Sequence, residues 1–272
     1  MRFRARRFWN FTALVIASLL ITLAFEIVDL SLRVPQYYSG WLMIILFATL
    51  FAFYLKKRLS IIPMGSSSLW AQWHYYLGLF SLIVFLNHIN FSVPAGKLEL
   101  LMSTLFLLVL ASGIGGLLIN RHFAKRLSYL SEEIIYERIP GYNLQLKNEV
   151  ESLITNCVEK SGSTTLADYY IRHLSEYFHR PRFIISHLLG SNYAIERIVA
   201  GLQNQMRYLN KEEADYALLL KNCIERKRML DTHFALQSAL KYWGISHAPL
   251  ALSLMIFISL HMVLVYAFRG AA

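Results

Sequence analysis

The chain is 272 residues long, 56% of them hydrophobic and only 16% charged, with a mean hydropathy of +0.41 and a formal net charge of +10. A soluble domain of this size carries about a quarter charged residues, so the composition excludes a disordered protein and argues against an ordinary cytosolic enzyme. Two cysteines, Cys157 and Cys223, exclude a disulfide framework, a Cys-x-x-Cys redox pair, an iron–sulfur cluster and covalent haem attachment through Cys-x-x-Cys-His.

In chain order, the first predicted span covers residues 8–28. It follows Arg2, Arg4, Arg6 and Arg7, and no small-x-small cleavage site comes after it, so it reads as a retained signal anchor. Residues 37–55 make the second span, closed by Lys56, Lys57 and Arg58; residues 69–89 and 98–119 make the third and fourth. A long polar insert then precedes the fifth span, residues 249–268, and only Arg269 and three small residues follow it. Each run reaches the roughly 20 helical residues that a hydrocarbon core requires.

Arginine and lysine set the orientation. The segments 30–36 and 90–97 carry one basic residue each, Arg33 and Lys97, against the clusters at the other ends, so the positive-inside rule predicts a cytoplasmic N-terminus. Alternating the spans from there predicts residues 121–246 in the cytoplasm and the C-terminus outside. Tyr37, Tyr38 and Trp41 then form an outer aromatic belt, and Trp9, Trp70 and Trp73 an inner one. The insert holds 17 Lys and Arg against 14 Asp and Glu, so the net charge is not a nucleic-acid footprint.

Within the insert, Leu144, Leu146, Val150, Leu153, Ile154 and Cys157 recur near helical spacing, Ser161–Thr165 reads as a linker, and residues 211–243 form one helical pattern without Pro or Gly. The expected fold is an all-α integral membrane protein, a five-span helical bundle with a helical cytoplasmic insert between spans four and five. Its expected organisation is 1–120, 121–246 and 247–272, in a bacterial inner membrane.

Histidine placement carries the chemistry. His74 and His88 lie in the third span, and His247 and His261 begin and run into the fifth; each pair is 14 residues apart. On an α-helix that spacing turns about 1400°, some 40° short of four full turns, and climbs about 21 Å. Both members therefore share a face at opposite membrane depths. The two spans run in the same direction, so side by side they set His74 level with His247 and His88 level with His261. Two imidazoles facing at one depth are what the two axial positions of a six-coordinate haem iron need. Intramembrane histidines are costly without a partner, which makes them functional candidates; a hydrogen bond to a neighbouring helix is the structural alternative. Gly78 and the run Ser112-Gly113-Ile114-Gly115-Gly116 read as close helix packing rather than porphyrin contacts.

The run from His74 through Tyr75, Tyr76 and Leu77 to Asn87 and His88, with His247-Ala248-Pro249-Leu250 and Leu260-His261, resembles the paired-histidine helices of membrane cytochromes b. The resemblance is strongest to the ferric reductase-like transmembrane domain shared with NADPH oxidases. It implies two haem b groups, held by His74, His88, His247 and His261, that carry electrons through the membrane. That family continues into a flavin and nicotinamide domain, which no residues here match. Electrons are therefore expected to pass to and from other redox subunits or carriers, such as a cytochrome c, an iron–sulfur protein or a flavoprotein, or the quinone pool. The competing expectations are a self-contained reductase of ferric iron or quinone, and a haem-free scaffold or signalling protein acting through residues 121–246.

Pro249 fits the first turn of a helix, which leaves His247 at or just outside the fifth span and makes His122 a substitute ligand. Glu26 is a candidate for proton transfer at a quinone site. Arg226-Lys227-Arg228 could attract anionic headgroups or an acidic carrier, although such a run more often forms a solvated face. His173, His179, His187 and His233 share no face with metal-ligand spacing.

Overall fold

A computed structural model describes residues 3–58, 66–130 and 133–268, without the side chains of residues 3–7, 55, 57 and 58. The arginines before the first span, Lys57, Arg58 and the tail from Arg269 thus lie outside the described side chains. Among the described residues the protein is helical, with no strand.

Four long helices open the chain: α1 (Phe3–Leu30), α2 (Pro35–Arg58), α3 (Ser67–His88) and α4 (Lys97–Leu127). Smaller helices follow: α5 (Ile139–Ser161), α6 (Thr165–Tyr169), α7 (Ser175–His179), α8 (Ile184–Leu189) and α9 (Tyr193–Gln205). The last helix, α10 (Lys211–Ala267), has 57 residues. Five of these, α1 to α4 and α10, are long and apolar enough to cross a membrane. At 1.5 Å per residue α10 is about 85 Å long, nearly three hydrocarbon cores, and only its C-terminal part is apolar enough to be immersed.

Two compact units divide the chain, Met1–Leu117 with Trp243–Ala272, and Leu118–Tyr242. In the first, α3 packs against α1 and α2. Phe25, Leu46 and Val84 form one buried cluster, and Phe47, Phe85, Phe106 and Leu254 another. Outside these the helices expose large apolar side chains, such as Leu19, Leu20, Leu23 and Ile27 along α1. Such a surface is stable in lipid and costly in water, at about 25 cal/mol per Å² of apolar area. Pro35 opens α2, where its missing N–H costs nothing. The end of α3 is fixed by Asn90 and Phe91, both at positive φ, and by the Phe91 N–H bonding back to Leu86 O at 2.9 Å. This stop places His88 in the last turn.

The fifth span departs from expectation at its start. α10 runs unbroken through Trp243, His247 and Pro249, so His247 lies well inside a helix. Pro249 withdraws one N–H from the ladder, a local loss that the turns on both sides sustain.

The second unit is built on a core of α5, α6, α7, α9 and the N-terminal part of α10. α5 buries Ile139, Asn143, Leu146, Val150, Ile154 and Cys157, at intervals of three and four residues. Leu144, expected on this face, is 58% exposed, since it stands about 200° around the helix from Leu146. The expected linker is a tight turn: Gly162 ends α5 at φ +65, and α6 starts at Thr165. A reciprocal cap starts α10. The Glu213 N–H bonds Asn210 Oδ1 at 2.8 Å, and the buried Glu213 carboxylate accepts the N–H groups of Asn210 and Leu166 at 3.3 and 3.1 Å.

The triplet 226–228 is not one solvated face. Lys227 and Asp231 form an ion pair with no side-chain exposure, while Arg226 and Arg228 stay partly exposed and pair with Glu149 and Glu225. Lys227 also donates to Arg180 O, at 3.2 Å, and lies over the Tyr177 ring; Asp231 accepts the Arg182 N–H at 3.3 Å. Burial lifts the Asp231 carboxyl to about 6 and lowers the Lys227 ammonium from its usual range, with the partner opposing each shift.

Candidate functional site

Of the four intramembrane histidines, His88 and His261 are brought together. Both line one cavity of about 550 Å³ in the first unit, walled by α2, α3, α4 and α10. Its volume lies in the roughly 300–1,000 Å³ range of small-molecule and cofactor sites. Phe47, Phe85, Phe106, Leu254 and Ile258 make the lining mostly apolar, and Gln36, Glu99 and Ser103 add polar groups.

The tautomer of His88 is set by its neighbours. Nδ1 stands 3.1 Å from Gln36 O and 3.0 Å from Ser39 Oγ. A carbonyl only accepts, so Nδ1 carries the proton and donates, and Nε2 keeps its lone pair. Metal-binding histidines commonly have one ring nitrogen held this way by a backbone carbonyl, which fixes the ring and raises the basicity of the other nitrogen. Gly40 gives the ring its room, since a Cβ there would stand 3.3 Å from His88 Cε1.

His247 is held differently. Its ring stacks on Trp243 at 5.4 Å and 22°, and Nδ1 lies 3.1 Å from Ser112 Oγ. The Trp243 indole N–H donates to Ser112 O at 2.9 Å. The glycine run on α4 receives this pair: a Cβ on Gly116 would run into the indole, and one on Gly113 would reach 3.7 Å from His247 Cε1. These glycines serve close packing, as their spacing implies. His74 has other surroundings, its ring 5.1 Å from that of Phe53 on α2.

The secondary candidates fall elsewhere. His122 is exposed on α4 in the other unit, and Glu26 is exposed on α1. His173 and His179 are exposed; His187 and His233 are buried in the second unit, bonded to Thr232 and Gln237. Among the described residues no three His, Cys, Asp or Glu side chains converge on a point able to hold a metal ion.

Gln36, Ser39, Ser112 and Trp243 escape a reading by sequence. Gln36 and Ser39 precede His88 by 52 and 49 residues, and no local pattern announces either contact. Trp243, four residues before His247 on one helix, is the one partner whose spacing was a usable signal. No protein-family model, curated protein or solved structure matches the chain.

Proposed function

We propose that the protein is a membrane-integral dihaem b-type cytochrome that passes electrons across the bilayer between redox partners, or to and from quinone, as a subunit of a larger complex. The observation that carries this reading is the shared cavity of His88 and His261, together with the Nδ1–H of His88 bonded to a backbone carbonyl. The residues present fit a haem at this end, with two imidazoles on one apolar cavity of cofactor size.

Haem b bound there supplies a one-electron ferric/ferrous couple. His88 and His261 are the residues that would hold it. The Gln36 carbonyl orients His88 and strengthens it as a donor. Phe47, Phe85, Phe106 and Leu254 exclude water and disfavour the more charged oxidation state, which raises the potential. For the second haem, His74 and His247 are the proposed ligands. That assignment rests on the equal 14-residue spacing on α3 and α10, with the His247 ring aligned by Trp243 and Ser112. The His88 end is proposed to face outward and the second unit the cytoplasm, from the distribution of Lys and Arg.

Proteoliposomes loaded with ferricyanide and treated with an impermeant external reductant test the function. The haem-loaded protein should bleach the trapped ferricyanide, and His88→Ala should reduce the rate to that of empty vesicles. Equal rates with and without protein contradict the proposal. Orientation is tested by single cysteines, since Cys157 and Cys223 are both buried. In intact cells an impermeant maleimide should label a cysteine at exposed Ser92 and spare one at exposed Thr164. The reverse pattern contradicts the orientation.

A further inference from the structure

The second unit contains a cavity of about 490 Å³ that the electron-transfer reading does not use. Arg126, Arg226 and Arg228 line it against one carboxylate, Glu225. Arg226 is paired with Glu149 and the Nε of Arg228 with Glu225. Arg126 is different. Among the described residues it has no carboxylate partner, and two of its N–H groups donate to the carbonyls of His187 and Leu188, both at 2.6 Å. Those two carbonyls fix the direction of its guanidinium. Gly190, Ser191 and Asn192 also line the cavity: Gly190, at φ +77, ends α8 beside the Arg126 guanidinium, and Ser191 and Asn192 lead into α9.

His187 makes this more than a basic surface. It is 3% exposed, lines the cavity, and its Nε2 has no hydrogen-bond partner. Nδ1 lies 3.0 Å from Thr232 Oγ1, and the Thr232 hydroxyl already donates to Arg228 O at 2.8 Å. Thr232 therefore accepts from Nδ1–H, and the buried Nε2 is a bare acceptor. A buried acceptor left without a donor is destabilising until a donor reaches it. Burial, and then the charges of Lys227 and Arg228 from α10 and of Arg126 from α4, lower its pKa to about 4. Glu225 and Arg226 stand at the cavity wall, and Asp231 is engaged with Lys227. The site thus offers fixed positive charge beside an atom that needs a proton.

A carboxylate or sulfate brings negative charge but no proton at neutral pH. A phosphate or phosphate monoester brings both, since its second ionisation lies near pH 6–7. We propose that this cavity binds a singly protonated phosphate group, its anionic oxygens facing Arg126 and Arg228 and its remaining proton shared with Nε2 of His187. The group belongs either to a free phosphate or to the headgroup of a phosphatidic acid.

The full-length protein in neutral detergent is titrated calorimetrically with sodium phosphate and with sodium sulfate at pH 6 and pH 8. In parallel its thermal unfolding is followed in phosphatidylcholine nanodiscs containing phosphatidic acid or phosphatidylglycerol, whose diester phosphate lacks the second proton. A free-phosphate site binds phosphate more tightly than sulfate. Its affinity holds between pH 6 and pH 8, because free phosphate keeps one proton as the dianion HPO4²⁻ whereas sulfate has none. A headgroup site shows instead a higher Tm with phosphatidic acid than with phosphatidylglycerol. In either case Arg126→Gln weakens binding roughly 10- to 100-fold, the size of a charge-assisted hydrogen bond, and His187→Leu removes the preference for phosphate over sulfate, or for phosphatidic acid over phosphatidylglycerol. The proposal is overturned if phosphate and sulfate bind alike and the two lipids act alike, or if both variants bind as the parent does.

Discussion

His88→Ala and His261→Ala should each remove the same haem, and the double variant should lose little more than either. Ligands acting on one group are not additive, and both residues line one cavity. In reduced-minus-oxidised spectra each single variant should lose the absorbance of one haem and keep the other. His74→Ala and His247→Ala should converge on the second haem. His122→Ala should spare both, since His122 is exposed and His247 lies inside an unbroken α10. If the His88 and His261 variants remove different haems, the pairing is wrong. If His122→Ala removes a haem that His247→Ala keeps, the assignment of the second pair fails.

Asp231→Ala should be the most destabilising single change in the second unit, by about 3–5 kcal/mol. It strands the Lys227 ammonium, fully buried over the Tyr177 ring, with the Arg180 carbonyl its one remaining hydrogen-bond partner among the described residues. Replacing both residues by apolar ones, Lys227→Met with Asp231→Leu, should recover most of that loss, because neither charge then has to be desolvated. Thermal unfolding of the purified protein in detergent reads both. A single variant within about 1 kcal/mol of the parent would contradict the pair's burial, since exposed pairs are worth that little.

How far the sequence foretold this depends on the range of the interaction. The five long helices were legible, because an apolar run of about 20 residues has few alternatives to crossing a bilayer. The spacing of His74 and His88 was legible as an angle, because helix geometry converts the one into the other, but their partners were not. Leu144 misled because a helical window accepts a neighbour of the true stripe, and only packing separates them. Pro249 misled because proline starts helices more often than it sits inside them, yet here the helix continues through it. Lys227 was hidden between two arginines. Asp231 four residues on is a legible pair, but its burial depends on Tyr177 and the backbone of Arg180 and Arg182, some 50 residues earlier. The same holds for His88. Its candidacy came from α3, while the carbonyl that fixes its tautomer comes from α2.

The central claim is tested most directly by the haem content of the purified protein, measured by acid-acetone extraction and a reduced-minus-oxidised spectrum. The account predicts two haems per chain, both low-spin under paired imidazole ligation. Both should be fully extractable, because no Cys-x-x-Cys-His attachment exists in the chain. Folded protein that carries no haem when expressed with haem in excess, or haem that stays on the polypeptide after extraction, would contradict it.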